Sequence, residues 1–192
     1  RLVANAGDAA GQLGLKVYNH DGALALSDVV PVLEHFGFTV LEEMPTELAR
    51  PEGESAAIHI HDFLLALPQQ VDRSAVAARA DIIERAVRAV LDGKAENDAF
   101  NQLLITSSIE PRAIVWLRAW FRYLRQTGMA FGMDTVVAAL RGAPSIMLGL
   151  VARFKWLNDP SAQDDAAAAA EQQAIDAAFA HVSGIDDDRI LR

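Results

Sequence analysis

The sequence predicts an α+β chain: a βαββ unit followed by an all-helical half. Three observations predict it. Apolar residues alternate with polar ones in LGLKVY (Leu13 to Tyr18), the pattern of a half-buried strand, and two further strand-like runs follow. From about Val71 the apolar spacing becomes helical and stays so. No convincing strand occurs after Leu67.

Each element follows from local chemistry. LGLKVY is the first strand, and HDG (His20 to Gly22) is a turn signal. Ser27 and Asp28 are both possible N-caps of the next helix. Asp28 is the better one, because Pro31 then falls at the third helical position, where a missing N–H costs nothing. Val29, Val32, Leu33 and Phe36 share one face of that helix and Gly37 ends it. FTVLEEMP (Phe38 to Pro45) is the second strand, ARPEGES (Ala49 to Ser55) a loop, and AAIHIHDFLLAL (Ala56 to Leu67) the third strand.

In the second half, Val76, Ala80, Ile83, Val87 and Val90 form one stripe, closed by Gly93. A second helix starts near Asn97 and carries Phe100, Leu103 and Leu104. Ser108 caps a third, with Pro111 in its first turn and Gly128 at its end. Asp134 caps a short fourth, ending at Gly142. Pro144 opens a fifth, with Met147, Leu150, Val151 and Phe154 inward, and Asn158-Asp159-Pro160 breaks it. A last long helix runs from Ala162 to about Val182, rich in alanine and poor in bulk.

The expected domains are therefore a βαββ module over residues 1–69 and a helical region over 70–192. Three strands and one helix leave one sheet face and its edges open. The helix from residue 73 is placed to act as the second helix of a ferredoxin-like βαββαβ unit. Its fourth strand must come from Arg1 to Ala6 or from another chain or domain.

Charge and composition narrow the function. Lys and Arg number 17 against 26 Asp and Glu, a formal charge of −9 over 192 residues. Such a chain repels phosphate backbones unless its basic residues segregate, so nucleic acid is not an expected partner. Cysteine is absent, which rules out disulfides and thiolate chemistry and fits a cytoplasmic protein. No apolar run reaches the roughly 18 residues that span a bilayer, so no membrane partner is expected either. The chain closes on IDDDRILR, an acidic first turn followed at once by apolar residues. A helix that begins there suggests a piece of a longer polypeptide.

Three stretches could carry chemistry. In HIHD, His59 and His61 share one strand face, and Asp62 points to the other. With no third ligand in sight, the expectation is no metal, and a polar outer face or one covered by a partner. The loop NHDGALALSD joins a strand to a helix, and backbone N–H groups at a helix start can hold a carboxylate or phosphate. It lacks the dinucleotide pattern, and an ordinary turn is the simpler reading. In WLRAWFRYLRQTG, Arg118, Arg122 and Arg125 form one stripe. Leu117, Phe121 and Leu124 form a second, and Trp116, Trp120 and Tyr123 a third beside it. This is an amphipathic helix whose arginines are expected to meet carboxylates here or in a partner. No nucleophile elbow or phosphate loop is present, so no catalytic residue and no cofactor is expected in these residues.

NHDGALALSDVVPVLEHFGFTV resembles an ACT domain at Asp21, Gly22, Leu26, Leu33, Gly37 and Val40. More widely, five ordered blocks carry a second resemblance. They are LKVYNHDGALALSDVVPVLEHFGFTVLEEMP, IHDF, KAENDAFNQLL, LRAWFRYLRQTG and DDDRILR. Together they resemble the large-type bacterial NAD-specific glutamate dehydrogenases, in the region before their catalytic domain. The resemblance implies a parent enzyme that deaminates L-glutamate oxidatively to 2-oxoglutarate with NAD, its catalytic groups lying beyond Arg192. It implies a regulatory and structural segment, inactive alone, that contributes to homo-oligomer assembly. An amino-acid effector, if bound, would sit at His20, Asp21, Gly22, Ala23 and Asp28. Arg118, Arg122, Arg125 and Trp120 would face the catalytic domain of the same polypeptide. The alternative is an ACT-type amino-acid sensor with no link to catalysis.

Overall fold

The computed structural model describes residues 1–3, 9, 11–20, 22–48 and 58–192. The chain divides into two compact units, Arg1–Thr106 and Ser107–Arg192. The change of period near residue 69 thus lies inside the first unit, which also contains the first helices of the second half. The loop expected at Ala49 to Ser55 and the turn residue Asp21 lie outside the described residues.

The first unit holds β1 (Leu2–Val3), β2 (Gln12–Asn19), α1 (Leu26–His35), β3 (Thr39–Leu48) and β4 (Ile58–Ala66). It continues with α2 (Arg73–Ala78), α3 (Ala80–Leu91), a 3₁₀ turn (Ala99–Gln102) and α4 (Leu103–Thr106). The strands form one antiparallel four-stranded sheet in the order β1-β2-β4-β3. β1 takes the place that the fourth strand of a βαββαβ unit would fill. It comes from within the opening segment, pairing Leu2 with Leu15 and Val3 with Gly14.

One sheet face is covered. Leu13, Leu15, Phe63 and Leu65 are buried there, with Val29, Val32, Leu33 and Phe36 from the α1 segment and Ile83, Val87 and Val90 from α3. The helical stripe read from sequence is therefore a core stripe. It spans two helices, because Arg79 leaves helical geometry (φ −110°, ψ 17°) and separates α2 from α3. Gly93 sits at φ +68° just past α3, and the Lys94 N–H donates back to the Ala89 carbonyl, closing the helix. Phe100, Leu103 and Leu104 are fully buried in the next short turns.

The histidine strand corrects an expectation. His61 lies on the covered face with Phe63 and Leu65 and is 3% exposed. The outer face is lined instead by half-buried Ile58, Ile60 and Leu64, with Asp62 paired to Lys16. Both phases of β4 carry apolar residues, so alternation alone does not say which faces inward. The pairing of Leu13 with Leu65 and Leu15 with Phe63 decides it, because opposed residues project to the same side.

The second unit is α5 (Pro111–Gln126), α6 (Met133–Gly142), α7 (Pro144–Asn158), α8 (Asp165–Phe179) and α9 (Ile185–Leu191). α7 and α8 pack closely: a Cβ built on Gly149 would come within 2.7 Å of Ile175 Cγ1. α8 buries only Ala168 and Ile175 along its length. Among the described residues no single helix is long and apolar enough to cross a membrane.

Three expected caps fall elsewhere. α1 starts two residues before Asp28, with Ala25 as N-cap, and Pro31 lies inside it. Ser108 adopts φ +54°, and Glu110 is the N-cap of α5. Gly132, not Asp134, precedes α6. In α1 and α6 the aspartate sits in the first turn, where its charge still favours the positive end of the helix dipole. The caps that do form with side chains are Asp72 on Ser74, Asp98 on Phe100 and Asp164 on Ala167.

Candidate functional site

The turn between β2 and α1 is built by short-range bonds and one long-range clamp. Gly22 adopts φ +110° with open space around its missing Cβ, so the turn needs a residue tolerant of that region. The Asn19 side-chain amide donates to the Gly22 carbonyl at 2.8 Å. Two residues on, the Leu24 N–H donates to Nε2 of His61 at 3.1 Å. That nitrogen must therefore carry a lone pair, so the ring proton is on Nδ1, which donates to Glu43 Oε1 at 2.8 Å.

Glu43 reaches this position because of a β-bulge. Val40 opposes Leu65, but Glu42 opposes Leu64 and Glu43 opposes Phe63. The extra residue at Leu41 shifts the phase of β3, moving Glu43 to the covered face. Without the bulge Glu43 would oppose Asp62, on the outer face. The clamp thus joins β3, β4 and the turn through one buried imidazole. Sequence reasoning found His61 as a candidate but missed its partners, because the bulge has no clear sequence signal.

Of the residues expected to hold an effector, His20 is exposed, Ala23 is exposed, Gly22 is half-buried and Asp28 is exposed in the first turn of α1. Among those that are described, only His20 lines the neighbouring groove, a space of about 610 Å³ between the edge of β2 and α3. Its walls combine apolar Leu15, Val17, Val87 and Leu91 with charged Glu84, Arg88 and Asp92. The Asp92 carboxyl is held below its ordinary value by the Lys94 ammonium that bonds it, with burial opposing. Among the described residues no group of three or more potential metal ligands occurs.

In the second unit, the arginines of α5 do different jobs. Arg118 is 5% exposed, while Arg122 and Arg125 are exposed. Arg125 Nη1 donates to the carbonyls of Met129 (3.0 Å) and Phe131 (3.5 Å), fixing the chain beyond its own helix end. The expected carboxylate partner is therefore replaced by backbone at Arg125. An arginine outside the predicted stripe meets a carboxylate instead: Arg112 lies 4.0 Å from Asp159 and over the Trp116 ring at 5.1 Å. Phe154 packs against both Trp116 and Trp120, with ring centroids 5.0 and 5.2 Å away. Such pairs contribute about 0.5–1.5 kcal/mol beyond area burial. The aromatics are packing residues, half-buried on one side. Tyr123 and Leu124, by contrast, are 66% and 41% exposed and rim a groove of about 660 Å³ closed by Met129, Phe131 and Leu150.

Two family models match the chain. Residues 1–79 match the family model described as glutamate dehydrogenase, ACT3 domain. Residues 95–160 match glutamate dehydrogenase, helical motif 3. The chain is 36% identical over 186 residues to the NAD-specific glutamate dehydrogenase of Pseudomonas aeruginosa, covering 94% of this chain and 11% of that protein. It is 31% identical over 193 residues to that of Halomonas elongata and 30% over 200 residues to that of Mycobacterium tuberculosis. Each of these two alignments covers 100% of this chain and 12% of the relative.

Proposed function

We propose, with similarity to the NAD-specific glutamate dehydrogenases along the whole chain as premise, that this is a regulatory and structural segment of such an enzyme. One observation supports this most. Between 94% and 100% of the chain aligns with only 11–12% of each relative, and both family models occur in order. The parent polypeptide would deaminate L-glutamate oxidatively to 2-oxoglutarate in the cytoplasm, with NAD taking the hydride. This segment carries no catalytic residue and is inactive alone. Its partners are the rest of its own polypeptide and further copies within a homo-oligomer.

The residues fit a docking role. His61 and Glu43 are committed to holding a turn. The exposed apolar end of α5, at Tyr123 and Leu124, is the surface through which the helical half meets its partner. Burying such side chains contributes about 1.5–3 kcal/mol each. Arg122 and Trp120 lie on the same helix and complete that surface.

The test is made in the full-length polypeptide. Replacing Tyr123 and Leu124 together by glutamate is expected to weaken assembly and lower NAD-linked glutamate oxidation by about tenfold or more. Native assembly and activity in that variant would remove the docking role. Glutamate-dependent NAD reduction by residues 1–192 alone would contradict the inactivity. The groove beside His20 and Asn19 favours a second reading, an amino-acid sensor with no link to catalysis. Calorimetric titration with the common amino acids at millimolar concentration separates the two.

A further inference from the structure

His61 is buried behind the β2–α1 turn, and its two ring nitrogens do different work. It is 3% exposed, and the Glu43 side chain that takes its Nδ1–H is 13% exposed. The other nitrogen, Nε2, holds the turn by accepting the Leu24 N–H at 3.1 Å. Two residues later α1 begins, with Ala25 as an N-cap that makes no side-chain bond. The imidazole thus anchors the entry to α1 where a capping side chain is missing. Asn19, His20 and Leu24 also line the groove of about 610 Å³, so whatever moves the turn reshapes that groove.

A proton can enter this arrangement at one place. Nδ1 already carries one, so Nε2 is the atom that takes a second. Its new N–H then confronts the Leu24 N–H, donor against donor, and the bond to the turn is lost. The bond from Nδ1 to Glu43 survives and becomes an ion pair at 2.8 Å, in surroundings with little water. Among the described residues, Glu43 is the charged group bonded to the ring. Val17 of β2 and Pro45 of β3 oppose His61 and carry no charge. The faces that α1 and α3 bury hold Val29, Val32 and Leu33 and Ile83, Val87 and Val90. His59 lies one step out on the same strand face, opposite Glu47. His20 and Asp28 are exposed, Lys16 and Asp62 pair on the other sheet face, and Glu84, Arg88 and Asp92 line the groove from α3.

We propose that His61 is a proton-operated latch. Protonation at Nε2 frees the β2–α1 turn from β4 while the ring stays tied to Glu43, and Leu24 leaves the wall of the groove. The open turn binds one proton more than the closed one, so the latch is closed at higher pH and opens as pH falls. Histidine is the side chain whose charge ordinarily changes between about pH 5 and 8. The latch needs only bonds within this unit, not the dehydrogenase reading, so it can fail while that reading stands.

Hydrogen exchange of the full-length polypeptide tests it, read from about pH 8 down to about pH 5 and corrected for the intrinsic pH dependence of exchange. Protection of the Leu24 amide is expected to fall at least about tenfold, with the β2–β4 ladder still protected. His61→Gln, whose side chain gains no proton in this range, is expected to lose that pH dependence. Glu43→Gln keeps an acceptor for Nδ1 but removes the countercharge, and is expected to move the opening to lower pH. It carries the test if His61→Gln does not fold. Constant Leu24 protection across the range overturns the proposal. So does an unchanged pH dependence in either variant, which assigns the proton to another group. Loss of the β2–β4 ladder together with Leu24 overturns it too, because acid then unfolds the sheet and not the turn.

Discussion

The sheet unit and the helical unit bury themselves to different degrees, and the difference separates what holds each together. In the first, Leu13, Leu33, Phe36, Phe63, Leu65 and Phe100 are all below 2% exposed. In the second, Val137, Ile146 and Met147 reach that level; large apolar side chains stay open to solvent in both units, Tyr18, Met44 and Leu48 in the first and Val115, Tyr123 and Leu124 in the second. Its longest Ala-rich helix has the propensity to form but little bulk to bury. Helix formation there rests on local preference, whereas the sheet unit rests on long-range burial.

The sharpest break of that comparison is Phe63→Ala. Emptying a fully buried aromatic site should destabilise the sheet unit by about 3–5 kcal/mol, read by denaturant unfolding. Leu124→Ser should change the helical unit by within about 0.5 kcal/mol in the isolated chain. Equal losses at the two positions would mean the units are equally closed.

Next in size is the buried clamp. His61→Leu leaves Glu43 and the Leu24 N–H without their shared partner. The expected loss is about 2–3 kcal/mol, with faster exchange at the Leu24 amide. His61→Gln, which keeps an acceptor and a donor, should recover part of it. Indistinguishable Leu and Gln variants would reduce the clamp to simple packing.

Gly149→Val probes the helical unit from within. The added Cβ meets Ile175 at 2.7 Å. Overpacking should cost about 1–3 kcal/mol, partly relieved by adding Ile175→Ala. Failure of the second change to help would show that α7 and α8 are free to part.

The smallest effect is acidic. The Asp72 carboxyl is held below its ordinary 3.8 by hydrogen bonds from the Ser74 hydroxyl and N–H. Asp159 is held down likewise by Ser161, aided by Arg112 and Lys155. A depressed carboxylate stabilises the fold above its unfolded value, and that stability fades as pH falls through the folded value. Both units should therefore weaken slightly below about pH 4. Asp72→Asn should flatten the response in the sheet unit alone.

Much of this was legible. The three long strands, the core stripe from Val76 to Val90 and the helices opened by Pro111 and Pro144 follow from period and proline position. The caps at Ser108 and Asp134 were misplaced because a capping residue type permits a helix start without compelling it. The role of Arg125 is not legible in the sequence because a guanidinium donates to a backbone carbonyl as well as to a carboxylate.

Hydrophobic period and turn chemistry act over a few residues, so the sequence alone determined which segments are strands and helices and where most of them stop. It also determined the exclusion of cysteine chemistry and the likeness to one enzyme family. Only the tertiary structure decided which face of β4 turns inward, that a bulge at Leu41 brings Glu43 to His61, and that the opening residues supply the sheet edge. Those choices depend on pairing between strands far apart in the chain, and a period-two pattern with apolar residues in both phases is silent about its partner.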